Sequence, residues 1–469
     1  MKHFLAVDLG ATSGRTILSS YDGEKVDMRE FTRFRNPQIP IAGHIFWDLP
    51  HLFNEILEAL RKVHQEGTQI ESIGIDTWGC DFAFFSEDGQ LSALPYCYRD
   101  THTEGAMDDF FAKNMSREEV YQKTGIQFMS FNSLFQLHTI RQHTTLDLSR
   151  QRIAFIPDAL SYMLTGEMVC EYTVASTSQI LNPATGDLDT ELLKSVGLKR
   201  EQFGRIVQPG EKIGSLTPQI AEYTGLGDVP VIAVAGHDTA SAVIAVPAED
   251  HNFAYLSCGT WSLLGIESPR PIITEQSAAA NFTNEGGIDG TTRFLKNITG
   301  LWIYENCRRE WGESVPANVN ALNAMCMESE YSGLINPDDA RFAHPSSMTE
   351  AIDTYLQERG QALPQKPADY VRCIFRSLAR RVHEVLTMLA SMSPNAIDRL
   401  HVIGGGSLNN YLMQFIATET GMPVITGPAE GTALGNTMVQ LRTAEPEIAT
   451  LTDMRRVIRK SITTKTYLP

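Results

Sequence analysis

The chain lacks the features that mark several large classes of protein. Its seven cysteines are scattered and none stands in a CxxC pair, which argues against both a disulfide framework and a structural zinc site. No apolar run approaches the ~18 residues of a membrane span. The apolar opening from Phe4 ends at Asp8, too early for a signal peptide. We therefore expect a cytoplasmic protein with reduced thiols and no membrane partner.

Clusters of basic residues and the common nucleotide-binding motifs are also missing from the sequence. The formal net charge of -17 would repel a phosphate backbone, and no run of Lys and Arg offsets it locally. Nucleic acid is therefore not an expected partner. Neither GxGxxG nor GxxxxGKS/T occurs in the chain. If a nucleotide binds, it is held by another arrangement.

The composition is that of an ordinary globular protein, with 42% hydrophobic and 20% charged residues. A length of 469 residues favours two domains. Strands alternate with helices along the chain, which predicts an α/β fold. The chain opens with a strand from Phe4 to Leu9, a glycine-rich turn and a second strand, and this pattern returns at Ala254–Ser257 and Trp261–Glu267.

A second repeat supports a duplicated domain. Pro230-Val231-Ile232, a polar loop and a helix of small residues are matched by Pro423-Val424-Ile425, a polar loop and a helix of the same kind. Two such repeated patterns in one chain indicate that a domain has been duplicated. The polar connector near Val246 to Asn252 predicts a first domain over residues 1–246 and a second over 247–469.

One carboxylate stands where a catalytic residue would be held rigidly. Asp238 follows the apolar strand from Val231 to Val234 and precedes a helix that is predicted from Thr239. An ionised Asp at such a junction can accept a proton, so Asp238 is a candidate general base. The alternative is that it only caps the helix, since Asp is a favoured capping residue.

Three glycine-containing segments could approach phosphates or a flat ligand. The turn from Asp8 to Arg15 offers backbone N–H groups, two hydroxyls and a guanidinium, although a plain hairpin turn would read the same way. Ser257 to Thr260 repeats the arrangement. The three glycines from Gly404 to Gly406 follow an apolar strand and precede a predicted helix, so a ligand could approach their backbone closely.

These segments together resemble the FGGY family of sugar kinases, within the actin and hexokinase superfamily. The resemblance extends over nearly the whole chain and includes further motifs at Gly74–Gly79, Tyr98-Arg99-Asp100, Asn284–Gly287 and Lys296-Asn297. It implies two duplicated ribonuclease H-like α/β domains with an interdomain cleft that closes over ATP and a sugar. It also implies ATP-dependent phosphorylation of L-rhamnulose at its 1-hydroxyl, with Mg²⁺ as the cofactor, by a monomer or small homo-oligomer.

The resemblance also implies the site residues. Asp238 would be the proton acceptor, and Asp8 would hold Mg²⁺, through water. The sugar would be bound by Gly79, His237, Asp238, Thr239 and Asn297, and ATP by Ala11, Thr12, Ser13, Gly14, Arg15, Thr260, Glu305 and Gly405. Asp76 and Asp81 are left unassigned between sugar contacts and turn formation.

Three positions depart from the family pattern, and two other functions stay open. Cys258 stands where Ser is expected, Cys80 stands where a small aliphatic residue is expected, and Glu305 stands where Gln is expected near the nucleotide. A carboxylate accepts hydrogen bonds but cannot donate them as an amide does. The other functions are a kinase for another ketose, such as L-fuculose, L-ribulose or L-xylulose, and a sugar-responsive regulator without catalysis.

Overall fold

A computed structural model describes residues 1–343 and 345–469. His344, for which the sequence predicts no role, lies outside the described residues. The chain forms two compact units that are not continuous in sequence. The first comprises Met1–Pro247, Glu267–Phe294 and Gly431–Ser461; the second comprises Ala248–Ile266, Leu295–Glu430 and Ile462–Pro469. The division of the sequence at residues 246 and 247 stays a prediction.

The strands have the following bounds. They are Lys2–Leu9 (β1), Ser13–Tyr21 (β2), Val26–Arg35 (β3), Gln38–Ile41 (β4), His44–Trp47 (β5), Ser72–Thr77 (β6), Phe82–Phe85 (β7), Leu91–Ala93 (β8), Arg152–Phe155 (β9), Val169–Glu171 (β10), Leu181–Asn182 (β11), Asp187–Leu188 (β12), Arg205–Val207 (β13), Lys212–Ser215 (β14), Pro230–Ile232 (β15), Phe253–Cys258 (β16), Trp261–Ser268 (β17), Thr283–Gly286 (β18), Thr292–Thr299 (β19), Arg399–Ile403 (β20), Val424–Thr426 (β21) and Lys465–Tyr467 (β22).

The α-helices lie between these strands. They are Leu49–Gln65 (α1), Ala106–Lys113 (α2), Arg117–Thr124 (α3), Ser133–His143 (α4), Ile156–Thr165 (α5), Tyr172–Ser176 (α6), Thr190–Ser195 (α7), Pro218–Thr224 (α8), Asp238–Ile244 (α9), Glu275–Ala279 (α10), Trp302–Trp311 (α11), Val319–Ala324 (α12), Met348–Glu358 (α13), Pro367–Met392 (α14), Asn410–Thr420 (α15), Gly431–Ala444 (α16) and Leu451–Ser461 (α17). No helix in the described part of the chain is long and apolar enough to cross a membrane.

The central sheet of the first unit has the strand order β14-β15-β6-β1-β2-β3. β1 pairs antiparallel with β2 and parallel with β6, and β15 pairs parallel with β6. Helix α1 covers this sheet because its buried residues, among them Leu52, Ile56 and Leu60, recur at helical spacing. They join one hydrophobic core with Leu5 and Val7 of β1. The apolar residues of α1 and β1 thus pack into one core against the central sheet.

Helix α16 also belongs to the first unit, although it lies near the end of the chain. It packs against α9 so closely that a Cβ atom at Gly435 would meet the Ser241 carbonyl oxygen at 1.8 Å. It also reaches the sheet, where Thr437 and Ser19 hydroxyls are hydrogen-bonded at 2.8 Å. Glycine is therefore required at residue 435, because any side chain there would separate the two helices.

The second unit repeats the plan of the first. Its strands are hydrogen-bonded in the order β19-β17-β16-β20-β21-β22. β16 pairs antiparallel with β17 and parallel with β20, β20 pairs parallel with β21, and β22 runs antiparallel to β21. From β17 to β22, this is the order and direction found from β2 to β14 in the first unit. The prediction of two duplicated α/β domains is confirmed.

Candidate active site

The turn between β1 and β2 holds its predicted phosphate-binding residues in a tight loop. The Gly10 N–H donates to the Ser13 carbonyl at 3.0 Å, and the buried Asn36 amide donates to the Gly10 carbonyl at 2.9 Å. Gly14 is buried, and a Cβ atom there would meet the Phe34 ring at 2.3 Å. The backbone of Ala11, Thr12 and Ser13 is thereby held at the end of the strand pair.

Arg15 and Asp8 face each other across the same strand pair. They are direct partners in the register of β1 and β2. The Arg15 Nε and one terminal nitrogen donate to Asp8 Oδ2 at 3.0 and 2.7 Å. This fork geometry fixes the guanidinium beside the turn, where it can meet an anionic oxygen.

A second aspartate lies beside Asp8 on the neighbouring strand. Asp76 is the register partner of Asp8 in the parallel pairing of β1 with β6, and it is completely buried. Asn436 Nδ2 donates to Asp76 Oδ2 at 2.6 Å, while Oδ1 has no hydrogen-bond partner among the described residues. Burial, then the nearby charge of Asp8 and further that of Asp238, raise the pKa of Asp76 well above its ordinary value.

The loop before α9 is held by a buried carboxylate. Glu171 accepts the N–H groups of Thr173 and Val174 at the start of α6 and also the N–H of Gly236 at 3.0 Å. The His237 N–H donates to the Thr173 hydroxyl at 3.2 Å, and Thr77 N–H donates to the Gly236 carbonyl. The loop is therefore pinned on both sides just before Asp238.

Asp238 stands at the predicted junction of strand and helix. It is the first residue of α9, and His237 occupies the capping position, so a capping role does not account for the Asp238 carboxylate. The Thr239 hydroxyl donates to Asp238 Oδ1 at 3.1 Å, and His237 Nε2 lies 3.4 Å from the same oxygen. The carboxylate side chain remains one-third exposed. His237, Asp238 and Thr239 thus form one compact group.

A buried ion pair lies behind His237. Arg293 on β19 and Glu285 on β18 are almost completely buried, with an Arg293 nitrogen 3.1 Å from Glu285 Oε2. The other terminal nitrogen of Arg293 is hydrogen-bonded to His237 Nδ1 at 3.1 Å. Burial would raise the pKa of Glu285, but the charge of Arg293 holds it below its ordinary value. Glu285 is therefore ionised at neutral pH.

The turn that contains Gly79 is rigid and has no space for a side chain at that residue. A Cβ atom at Gly79 would meet the Thr177 hydroxyl at 2.8 Å, and Cys80 has a positive φ of 71°. Asp81 follows and is fully buried. Its Oδ2 accepts from the indoles of Trp47 and Trp78 at 2.6 and 2.9 Å. The buried Asp81 carboxyl group therefore stabilises the turn through these hydrogen bonds.

In the second unit, the Cys258–Thr260 turn packs against the triple glycine. The Gly300 and Leu301 N–H groups donate to the carbonyls of Thr260 and Gly259. A Cβ atom at Gly406 would meet Cys258 Sγ at 2.3 Å. At Gly405, by contrast, nothing lies within 4 Å of an added Cβ atom, and the residue is exposed. The glycines continue as a 3₁₀ helix over Gly405–Leu408 before α15 begins, so the predicted helix start comes later than expected.

The remaining predicted residues of the second unit lie on β19 and α11. Asn297 is half-buried on β19, beside Lys296, whose pKa is lowered to about 8 by burial and by the charge of Arg381. Glu305 is half-exposed on α11 and forms an ion pair with Arg308 at 3.2 Å. The roles of Asn297 toward the sugar and of Glu305 toward the nucleotide stay predictions.

The predicted residues therefore divide between the units. The first unit contains Asp8, Ala11, Thr12, Ser13, Gly14, Arg15, Gly79, His237, Asp238 and Thr239, and the second contains Thr260, Asn297, Glu305 and Gly405. Within the residues that the structure describes, no three His, Cys, Asp or Glu side chains are grouped so as to hold a metal ion. Mg²⁺ is commonly bound through one or two carboxylates together with substrate phosphates, and Asp8 and Asp76 offer such oxygens.

The sequence did not reveal three of the residues around this site. The sequence alone assigns no role to Asp76, Glu285 or Arg293. It contains no signal for this ion pair, because the segment around Arg293 is mostly polar and contains a second cation, Lys296. The buried partner of Arg293 depends on the fold.

Two adjoining family models match the chain. Residues 3–245 match the N-terminal domain of the FGGY family of carbohydrate kinases, and residues 254–444 match the C-terminal domain. A rhamnulokinase from Bacteroides thetaiotaomicron is 53% identical over 100% of this chain and 96% of its own length. A rhamnulokinase from Mannheimia succiniciproducens is 42% identical over 98% of this chain and 94% of its own.

Solved structures of sugar kinases share the fold. A ligand-bound xylulose kinase from Lactobacillus acidophilus has a TM-score of 0.83 at 17% identity, covering 100% of this chain and 94% of its own. The glycerol kinase of Plasmodium falciparum with ADP has a TM-score of 0.78 at 16% identity, covering 99% and 94%. The fold and the family matches together are those of a two-domain sugar kinase. The chain belongs to the FGGY family of carbohydrate kinases.

Proposed function

We propose that this enzyme transfers the γ-phosphoryl group of ATP to the 1-hydroxyl of L-rhamnulose, giving L-rhamnulose 1-phosphate and ADP. The observation that carries the choice of sugar is the 53% identity to a rhamnulokinase over the full chain. Mg²⁺ dependence, a cytoplasmic location and a monomeric or small homo-oligomeric state belong to the same proposal. The reaction would be a step in the breakdown of L-rhamnose.

Asp238 is proposed as the general base. Its carboxylate would take the proton of the 1-hydroxyl while that oxygen forms a bond to the γ-phosphorus and the bond from phosphorus to the ADP oxygen breaks. The rigid loop from Gly236 to Asp238 supports this role, because it holds the carboxylate in one position without burying it. Phosphoryl transfer depends chiefly on such positioning and on charge stabilisation.

The phosphate groups of ATP are proposed to meet the two turns. Ala11, Thr12, Ser13 and Gly14 would offer backbone N–H groups and hydroxyls, with Arg15 held by Asp8 as a fixed positive charge. Thr260 would do the same from the second unit, and Gly405 would lie by the nucleoside, where a side chain is absent. When bound, Mg²⁺ neutralises phosphate charge; Asp8 would hold it through water, with the unpartnered Oδ1 of Asp76 nearby.

Gly79, His237, Thr239 and Asn297 are proposed to bind the sugar hydroxyls. The test is ADP release from Mg-ATP with L-rhamnulose beside L-fuculose, L-ribulose, L-xylulose and glycerol at equal concentrations. We expect a clear preference for L-rhamnulose. A preference for another ketose would show that the proposed substrate is wrong, although the proposed kinase reaction would stand. If none of these sugars is phosphorylated, the alternative of a sugar-responsive regulator is favoured.

The role of Asp238 is tested separately with Asp238→Asn. Since a positioned base contributes about 10²–10⁴-fold, kcat should fall by that factor while both substrates still bind. Asp22→Asn is the control, because it neutralises an exposed carboxylate of the same unit outside the proposed site, and it should leave kcat unchanged. Near-normal kcat in Asp238→Asn would remove Asp238 from the base role.

A further inference from the structure

The buried pair of Arg293 and Glu285 lies directly behind the residue next to the proposed base. We propose that Arg293 and Glu285 are positioning residues that fix the tautomer of His237, so that Nδ1 is the acceptor and Nε2 carries the proton. This inference rests on the proposed function only in its kinetic consequence. The tautomer itself is a property of the protein without any substrate.

The geometry around His237 Nδ1 identifies the donor. A guanidinium has donors only, and the Arg293 nitrogen 3.1 Å from Nδ1 meets hydrogen-bond geometry. Glu285 Oε2 lies 3.3 Å from the same ring nitrogen, yet accepts no hydrogen bond among the described residues. If Nδ1 carried a proton, that proton would point toward the Arg293 donor. The arrangement therefore leaves the ring proton on Nε2.

Glu285 keeps the guanidinium in place at a buried position. Arg293 is 1% exposed and Glu285 is 5% exposed, so either charge alone would be costly there. Arg293 Nε also donates to the Gly286 carbonyl at 2.9 Å, and the Gly286 N–H donates to the Ser176 hydroxyl at 2.7 Å. The guanidinium is thus held at both ends and cannot turn away from His237.

The consequence falls on Asp238. With its proton on Nε2, His237 presents a donor 3.4 Å from Asp238 Oδ1, and the Thr239 hydroxyl donates to that same oxygen. Oδ1 then accepts one hydrogen bond and lies at ion-pair distance from a second donor, His237 Nε2, which leaves Oδ2 to accept the proton of the substrate hydroxyl. With the other tautomer, a lone pair on Nε2 would repel the carboxylate and change its orientation.

The test is the ¹⁵N NMR signature of the His237 ring in the full chain at pH 8, with selectively labelled histidine. The chain has 12 histidines, and the spectrum of His237→Gln assigns the signal by its loss. We expect Nδ1 unprotonated and Nε2 protonated. A proton on Nδ1 in the unmodified protein would overturn the proposal.

Two variants should differ in their effect on the His237 tautomer. Arg293→Met removes the donor and leaves the Glu285 carboxylate facing Nδ1; since imidazole is a stronger base than carboxylate, the proton should move to Nδ1. Glu285→Gln keeps the Arg293 donor, so Nδ1 should stay unprotonated. If Arg293→Met leaves the proton on Nε2, Arg293 does not set the tautomer.

Arg455→Met is the matched control for loss of a buried ion pair. Arg455 is 4% exposed and lies 2.8 Å from the buried Glu267 in the same unit. It should lose stability as Arg293→Met does, without a change in the His237 spectrum or in kcat. Arg293→Met should lower kcat by about 10-fold or more with the KM for ATP unchanged, since partners that orient a functional histidine are worth about 10–100-fold at metal sites. Arg293→Lys, which keeps a donor, should recover part of that loss.

These outcomes separate the two proposals. If L-rhamnulose is not phosphorylated but the His237 spectra behave as expected, the substrate is wrong and the positioning role stands. If L-rhamnulose is phosphorylated and Arg293→Met changes neither the spectrum nor kcat, the positioning role is wrong and the proposed function stands.

Discussion

Asp8 and Asp76 are paired side by side on the parallel strands β1 and β6. Each has a different partner, since Arg15 donates to Asp8 and Asn436 donates to Asp76. Burial and the charge of Asp8 raise the pKa of Asp76. One strand end thus presents two carboxyl groups in different environments, next to the loop that carries Asp238.

Replacement of Asp81 by Asn should change how stability depends on pH. Burial raises the pKa of Asp81 from 3.8 to about 6, although hydrogen bonds from Gln136, Trp47 and Trp78 oppose the rise. The folded state therefore binds a proton that the unfolded state has released. This contribution to stability is complete below pH 4 and is lost as the pH rises to about 6.

The size of that effect follows from the two pKa values. At about 1.4 kcal/mol for each tenfold change in proton affinity, the loss amounts to roughly 3 kcal/mol. In Asp81→Asn the loss is absent, so the free energy of unfolding of the variant relative to the unmodified protein should increase between pH 4 and 6. Urea unfolding followed by tryptophan fluorescence measures it. A difference that does not vary with pH would contradict the raised pKa.

Asp22→Asn is the control of opposite sign. Backbone N–H groups of Lys25 and Glu24 lower the pKa of this exposed carboxylate, so its stabilising contribution is present at neutral pH and is lost as the pH falls. The variant should therefore become less stable relative to the unmodified protein as the pH rises. The same sign for both variants would mean that charge loss in general governs the result.

Adjacent glycines of the second unit should respond differently to alanine. Gly406→Ala places a methyl group 2.3 Å from Cys258 Sγ, and such overpacking costs about 1–3 kcal/mol. Gly405→Ala meets no atom within 4 Å and should unfold like the unmodified protein, while its KM for ATP rises because the methyl group occupies the proposed nucleoside position. Thermal unfolding and ATP titrations measure both effects. Equal stability of the two variants would contradict the packing of Gly406 against Cys258. An unchanged KM for ATP in Gly405→Ala would contradict the nucleotide assignment of Gly405.

Glu305→Gln should improve the use of ATP. The Glu305 carboxylate is half-exposed beside Arg308, and an amide in its place would remove a negative charge and add a donor. We expect the KM for ATP to fall about twofold to fivefold, since an interaction of about 1 kcal/mol at an exposed position corresponds to that range. Glu313→Gln, an exposed position just after the same helix, should have no effect. If the KM changes equally in both, Glu305 acts only through the overall charge.

The sequence predicted much of the fold because the duplicated strands are apolar and bounded by glycine. The strand expected at Ala254–Ser257 is found at Phe253–Cys258, and the next one, expected at Trp261–Glu267, ends one residue later. The position of Asp238 at the start of a helix was also predictable, since small residues follow an apolar run directly.

The supporting groups could not be predicted in the same way, because they depend on contacts between distant parts of the chain. Asn436 reaches Asp76 across 360 residues, and Arg293 reaches His237 across 56. The local periodicity of the sequence does not predict which strands a helix near the end of the chain will pack against. The membership of α16 in the first unit had no signal in the sequence for the same reason.

The central claim is phosphorylation of L-rhamnulose at its 1-hydroxyl, and the product tests it most directly. The purified enzyme is incubated with Mg-ATP and L-rhamnulose, and the product is identified by ³¹P NMR with proton coupling, with an EDTA-treated sample alongside. We expect one sugar phosphate whose phosphorus couples to the two protons of C1, formed with one ADP for each sugar and absent with EDTA. A phosphate on another carbon, or ADP release without a sugar phosphate, would contradict the account.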